Sequence, residues 1–195
     1  MPYFSVIMPT KNRATLIKDA IQSVCNQSFT DWELIIVDDH GNDDTKQVID
    51  NFHDERIKYY YLLKNVGPGL ARDYGIKKAT GEIICIADSD DINLEDRLKI
   101  TSQEFVKNDK IDIVYGLAIR QELNHPDFIR PSQDFNAELL KSYNFIANST
   151  ASFRKKFYLK TNGYDGKFTT AEDYDLWLTF LEHKANFKFI NKPLV

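Results

Sequence analysis

The stretch Ile83-Ile84-Cys85-Ile86-Ala87-Asp88-Ser89-Asp90-Asp91 constrains this chain more than any other. A run of apolar and β-branched residues breaks off in a group of carboxylates. The run is too short for a helix and reads as a strand buried on both faces. Carboxylates crowded at one strand end repel one another unless positive charge sits among them. Hard divalent cations bind carboxylate oxygen, and Mg²⁺ commonly bridges one or two protein carboxylates to substrate phosphates. In open α/β sheets, ligands bind outside the carboxyl ends of the strands. The stretch therefore has two readings. One is a metal–phosphate site. The other is an acidic loop in which Asp91 or Asn93 caps a helix over Leu94–Val106.

The flanking pattern supplies a sheet for that strand. Strands are expected at Phe4–Met8 (stopped by Pro9), Glu33–Val37, Ile57–Tyr61 and Asp112–Tyr115. Between them, apolar residues at helical spacing predict helices reaching about Gln27, from Asp43 or Asp44 to about Phe52, and from about Leu70 to Lys78. Strand and helix alternate, which implies a mainly parallel sheet with helices on both faces, a three-layer α/β/α arrangement. After Gly116 the pattern loosens. A loop is expected over His125–Ser132, short helices over Phe135–Ser142 and Arg154–Thr161, and an added strand at Thr150–Phe153. A turn follows at 162–166, then a helix over Thr170–His183 and a last strand at Phe187–Ile190. This second part is too small for a large core of its own and reads as an extension of the first sheet. The expectation is one domain over 1–195, with 1–116 and 117–195 as its two halves.

Composition narrows the class. A formal net charge of −4 argues against a nucleic-acid footprint. Two cysteines, Cys25 and Cys85, fall in helical and strand patterns and read as core thiols rather than a disulfide framework. No apolar run is long enough to span a bilayer, and a basic, apolar leader is lacking, so the expected setting is cytoplasmic.

Carboxylate pairs end two of the strands, Asp38-Asp39 and Asp88-x-Asp90. The turn after the first strand, Pro9-Thr10-Lys11-Asn12-Arg13, is neither a Gly-x-Gly-x-x-Gly nor a P-loop. A phosphate bound here would thus be held by a metal and not by glycine amides. Six motifs then recur in order: Ser5-Val6-Ile7-Met8-Pro9-Thr10-x-Asn12-Arg13, Val37-Asp38-Asp39, Asn65-x-Gly67 with Ala71-Arg72-Asp73-x-Gly75, Ala79-x-Gly81-Glu82-Ile83, Asp88-Ser89-Asp90-Asp91, and Glu172-Asp173-Tyr174-Asp175-x-Trp177. Together they cover nearly the whole chain. The series resembles the inverting nucleotide-sugar glycosyltransferases of family two, which have the Rossmann-like GT-A fold.

The resemblance implies roles. Pro9, Thr10 and Asn12 match the turn beside the nucleoside. Asp39 matches the acid that bonds a pyrimidine base, which points to a uridine or thymidine donor, with a UDP-sugar the expected one. Arg72 lies in a segment that approaches the nucleotide. Asp88 matches the acid near the ribose or donor sugar, and Asp90 the main ligand of Mg²⁺ or Mn²⁺. Asp173 matches the base that deprotonates a glycan or lipid-linked acceptor. Glu172 is expected to bind the acceptor or orient Asp173. Trp177 has two readings, lining an acceptor pocket or packing the helix. Glu172-Asp173 also has a purely structural reading, as charge at a helix amino terminus. Peripheral membrane association would suit a lipid-linked acceptor.

Two other functions fit less well. A nucleotidyltransferase would share the sheet but show a Gly-rich, basic first loop. A non-catalytic nucleotide- or glycan-binding module would not need both Asp90 and Asp173. His40, His53, His125 and His183 lack metal-ligand spacing and read as surface residues. Tyr59-Tyr60-Tyr61 reads as sheet packing. Family members commonly run well past the position of Pro193-Leu194-Val195, so the expectation is that the chain is a fragment.

Overall fold

In the computed structural model, which describes residues 1–121 and 127–195, strands and helices alternate from the amino terminus. The order is β1 (Phe4–Thr10), α1 (Ile17–Cys25), β2 (Trp32–Asp38), α2 (Thr45–Asp50), β3 (Ile57–Tyr61), α3 (Pro68–Lys78), β4 (Ile83–Ile86) and α4 (Arg97–Lys107). There follow β5 (Ile113–Leu117), β6 (Ile119–Arg120), β7 (Phe128–Ile129), α5 (Ala137–Ser142), β8 (Ser152–Arg154), α6 (Lys155–Tyr158), α7 (Glu172–Glu182) and β9 (Phe187–Pro193). His125 and the start of the loop expected at 125–132 lie outside the described residues. The rest of that stretch is not all loop, because Phe128–Ile129 pairs antiparallel with Ile119–Arg120.

Seven strands form one sheet in the order β3-β2-β1-β4-β8-β5-β9. All neighbours run parallel except β8, which lies antiparallel between β4 and β5. The fold is thus the expected α/β/α arrangement with a mostly parallel central sheet. Central strands buried on both faces are apolar through their middles, and the alternation divides them cleanly. Val6, Met8, Leu34, Ile36, Ile83 and Cys85 pack into one core layer. Ile7, Ile35, Val37, Ile84 and Ile86 pack into the other.

Among the boundaries that differ from expectation, three have identifiable reasons. Strand β1 continues through Pro9 to Thr10. Its pairing with β4 ends at Ile7, so Pro9 has a strand neighbour only on the β2 side and its missing N–H is tolerated. Helix α4 starts at Arg97, and neither Asp91 nor Asn93 caps it. Leu94 is instead drawn into a tertiary tie, its N–H donating to the Leu194 carbonyl at 3.0 Å. The last strand runs on to Pro193 beside β5.

At the amino end of the sheet one carboxylate joins several segments. Glu33 of β2 accepts from the Ser5 hydroxyl at 2.6 Å, the Thr80 N–H at 2.6 Å and the Lys58 ammonium at 2.6 Å. Burial alone would raise its pKa. The Lys58, Ser5 and Thr80 bonds outweigh that and bring it to about 2.

Candidate active site

Strands β1, β2 and β4 end together, and the loops leaving them enclose a cleft of about 540 Å³. Its walls include Pro9 and Thr10 at the end of β1, Lys11 and Arg13 just after it, Asp39 after β2, and Asp88, Ser89 and Asp90 after β4. The β3–α3 turn adds Asn65 to Pro68, α3 adds Arg72, and Thr169 closes one side.

The β2 end is rigid. Asp39 Oδ1 accepts the Val66 N–H at 2.7 Å, and Oδ2 accepts the Gly67 N–H at 2.8 Å. The Asn65 amide, oriented to satisfy both neighbours, donates to Oδ2 at 2.5 Å and accepts from Lys11 Nζ at 3.1 Å. Gly67 caps α3 at φ 86, ψ 162, backbone that a side chain would strain. Asp39 is therefore buried and already occupied in holding one wall of the cleft, with lone-pair capacity left for one more donor.

Each carboxylate after β4 has an arginine. Asp88 Oδ1 accepts from Arg72 Nη2 at 2.6 Å. Asp90 lies 3.4 Å from Arg13 Nη2, and both side chains are nearly half exposed. Asp91 is half-buried in the field of Arg97. Burial pushes the Asp91 carboxyl up, a bond from Ser149 opposes this, and the Asp88 and Asp90 charges add to the rise. Arg97 itself is 1% exposed. It bonds the Asn93 side chain and donates to the Ile86 carbonyl at 2.7 Å, so it braces the last residue of β4. The repulsion evident in the sequence is thus met by three guanidinium groups.

Helix α7 brings the third acidic group to the same region. Arg72 Nη1 donates to Glu172 Oε1 at 2.6 Å. Burial opposes the Arg72 charge, yet Asp88 and Glu172 more than offset it and raise its pKa. Asp173 follows Glu172 and accepts the Asn144 amide at 3.0 Å. It is half-buried. Burial pushes its carboxyl up; the Tyr174 N–H and the Asn144 amide pull down, and the Glu172 charge pushes up again.

Other sequence candidates land elsewhere. Asn12 does not line the cleft. It sits in the left-handed region at φ 54, and its side chain accepts the Asn42 N–H at 2.8 Å, tying the first turn to the loop after β2. Trp177 is 0% exposed and packs edge-on against Phe153 and Phe180, so of its two readings the structure selects helix packing. Glu172 is engaged by Arg72 and 8% exposed, which leaves it poorly placed to meet an acceptor directly. His40, His53 and His183 are at the surface. Lys11, Arg13, Asn65 and Thr169 line the cleft although no role is expected of them from the sequence. Arg13 and Asn65 are named in quoted motifs and Lys11 fills the open position of one, whereas Thr169 sits in an irregular segment without periodicity.

Among the described residues, no three His, Cys, Asp or Glu side chains group into a metal-binding set. A hard cation that shares substrate phosphates needs fewer protein ligands, one or two carboxylates with the remainder from phosphate and water. Asp90, exposed at the cleft and held by one long ion pair, meets that requirement. Asp88 and Asp91 are more committed.

A family model described as Glycosyl transferase family 2 matches residues 5–167. The chain is 33% identical over 194 residues to the GalNAc(5)-diNAcBac-PP-undecaprenol beta-1,3-glucosyltransferase of Campylobacter jejuni, covering 95% of this chain and 62% of that protein. It is 31% identical over 180 residues to the UDP-Glc:alpha-D-GlcNAc-diphosphoundecaprenol beta-1,3-glucosyltransferase WfgD of Escherichia coli, covering 91% and 69% respectively. Among solved structures, S. aureus TarS 1-349 in complex with UDP superposes with a TM-score of 0.80 at 21% identity, over 98% of this chain and 59% of TarS 1-349. The chain thus spans roughly three-fifths to two-thirds of the length of these proteins.

Proposed function

The chain belongs to glycosyl transferase family 2, and from that premise we propose that it carries the donor site and base of an inverting glycosyltransferase. The donor is a UDP-sugar and the acceptor a lipid-linked glycan, in the assembly of a polysaccharide or cell-surface glycan. The observation that carries this reading is one cleft at the ends of β1, β2 and β4 that gathers Asp39, Arg72, Asp88 and Asp90, with Asp173 joined to it through Glu172 and Arg72. Relatives that use undecaprenol-linked sugars, and the complexes of TarS with UDP and UDP-GlcNAc, support the choice of substrates. Among the described residues no helix is long and apolar enough to cross a membrane. The proposal places the protein in the cytoplasm, against the membrane face that displays a lipid-linked acceptor of the kind its relatives use.

In this reading Pro9 and Thr10 face the nucleoside and Asp39 accepts the N3–H of uracil. Lys11 and Arg13 supply positive charge near the diphosphate. Mg²⁺ or Mn²⁺ held by Asp90 would neutralise charge on the departing diphosphate. Asp173 removes the acceptor proton as the hydroxyl oxygen attacks the anomeric carbon, in a transition state of oxocarbenium character. Its raised pKa makes it a better base than an ordinary exposed carboxylate.

Asp173→Asn tests the assignment, because it keeps shape and removes basicity. UDP affinity, titrated with Mn²⁺, should stay within about twofold while transfer from a UDP-sugar falls by roughly 10²–10⁴. Transfer at the parent rate would move the base elsewhere. Equal affinity of the parent chain for ADP and UDP would remove the uracil reading of Asp39.

A further inference from the structure

We infer that Arg72 and Glu172 act as a positioning pair that transmits occupancy of the donor cleft to the first turn of α7, which carries Asp173. The inference rests on the donor-site reading given above. Arg72 reaches from α3 in two directions, to Asp88 at the end of β4 and to Glu172 a hundred positions along the chain. Both contacts are 2.6 Å, and Arg72 and Asp88 line the cleft whereas Glu172 does not. Side-chain exposure is 6% for Arg72, 10% for Glu172 and 26% for Asp88. A ligand that touches Asp88 changes what Arg72 must balance, and Glu172 is the other partner bearing that change.

Two further observations mark this junction as adjustable and tightly coupled. Arg72 Nε and the Tyr164 hydroxyl are both buried without a hydrogen-bond partner, and Tyr164 lies within electrostatic reach of Arg72, Asp88, Glu172 and Asp173. Unpaired buried donors are rare in a native interior and call for an explanation. Here they give the guanidinium a second bonding arrangement to adopt. Next, α3 and α7 meet without slack. A methyl group on Gly69 would lie 3.0 Å from Glu172 Cγ and 3.1 Å from its Cβ. The residue ahead of Glu172, Ala171, is held at φ 59, ψ 24, a conformation a non-glycine residue keeps only where its surroundings impose it. A displacement of Glu172 is therefore passed directly to the start of α7.

Amide hydrogen exchange of the whole chain, with and without UDP and Mn²⁺, tests the coupling. In the parent, UDP should slow exchange at residues 65–67, which line the cleft, and by about threefold or more at Asp175–Trp177, which do not. Glu172→Gln preserves size and withdraws the charge. UDP should still protect 65–67, but its effect on α7 should be lost. Arg72→Lys keeps the charge without the two-armed geometry and should decouple in the same way, provided UDP still protects 65–67. Undiminished protection of α7 in a folded, UDP-binding variant overturns the pairing, as does a parent in which UDP protects 65–67 and leaves α7 unchanged. A parent in which UDP protects neither segment overturns the donor-site reading and the inference with it.

Discussion

Asp173 and Asn144 show how a side chain's chemistry is set by a neighbour that no motif contains. The Asp173 position was legible because Glu-Asp at a helix start belongs to a recurring motif. Its environment was not, because Asn144 lies in an irregular connection after α5 and carries no periodic signal. The Asn144 amide donates to the ionised carboxylate and so lowers its pKa. With Asp173 as the proposed base, which works when ionised, activity is present above its pKa in the folded protein and lost as pH falls through it. Burial raises that pKa, which moves the acid limb of the rate profile above the range of a free carboxylate, near about 3.9. Asn144→Ala should move the limb to still higher pH and leave the plateau rate less affected. The check is kcat/KM against pH for both proteins. A limb that stays in place or moves down would mean that Asn144 does not tune the base.

At the scale of elements, the central strands were readable because burial on both faces forces unbroken apolar runs. β2 and β4 appear within about a residue of expectation by that rule. The short pieces were not readable in this way. β6 and β7 have two residues each, too few to show a period, and pair with each other; β8, expected at Thr150–Phe153, lies at Ser152–Arg154, between β4 and β5 from far earlier in the chain. The wall formed by the β3–α3 turn is a further tertiary product. Its glycine and asparagine were visible, but not the carboxylate that fixes them. Because Asp39 accepts from both Val66 and Gly67, Asp39→Asn should do more than weaken UDP binding. One of those N–H groups would face an amide nitrogen, at a cost of about 1–3 kcal/mol in stability. Denaturant unfolding of the ligand-free proteins measures this. An unchanged midpoint would mean that Asp39 serves the nucleotide alone.

For the whole molecule, stability should depend on acid through the opposite end of the sheet from the cleft. Glu33 has a folded-state pKa near about 2 against an ordinary 4.5. A depressed carboxylate pKa contributes stability above the unfolded value and loses it as pH falls through the folded one. Glu33→Gln should thus be less stable than the parent at neutral pH, with the gap narrowing below about pH 4.5 and closing near 2. A gap independent of pH would assign the effect to shape and not to charge. The sheet order carries a consequence for how the chain is made. β4 and β5 are separated in the sheet by β8, whose residues emerge from the ribosome only after both of them. Until then the nascent chain holds β4 with one bare edge, an apolar run whose outer N–H and C=O groups can recruit another chain. A polypeptide ending at Leu117 should therefore self-associate or require a chaperone, and adding the segment through β9 should restore a monodisperse species in size-exclusion chromatography. The fold is in that sense sealed from its late-synthesised part, and the interval before the seal is when the growing protein is most exposed to misassembly.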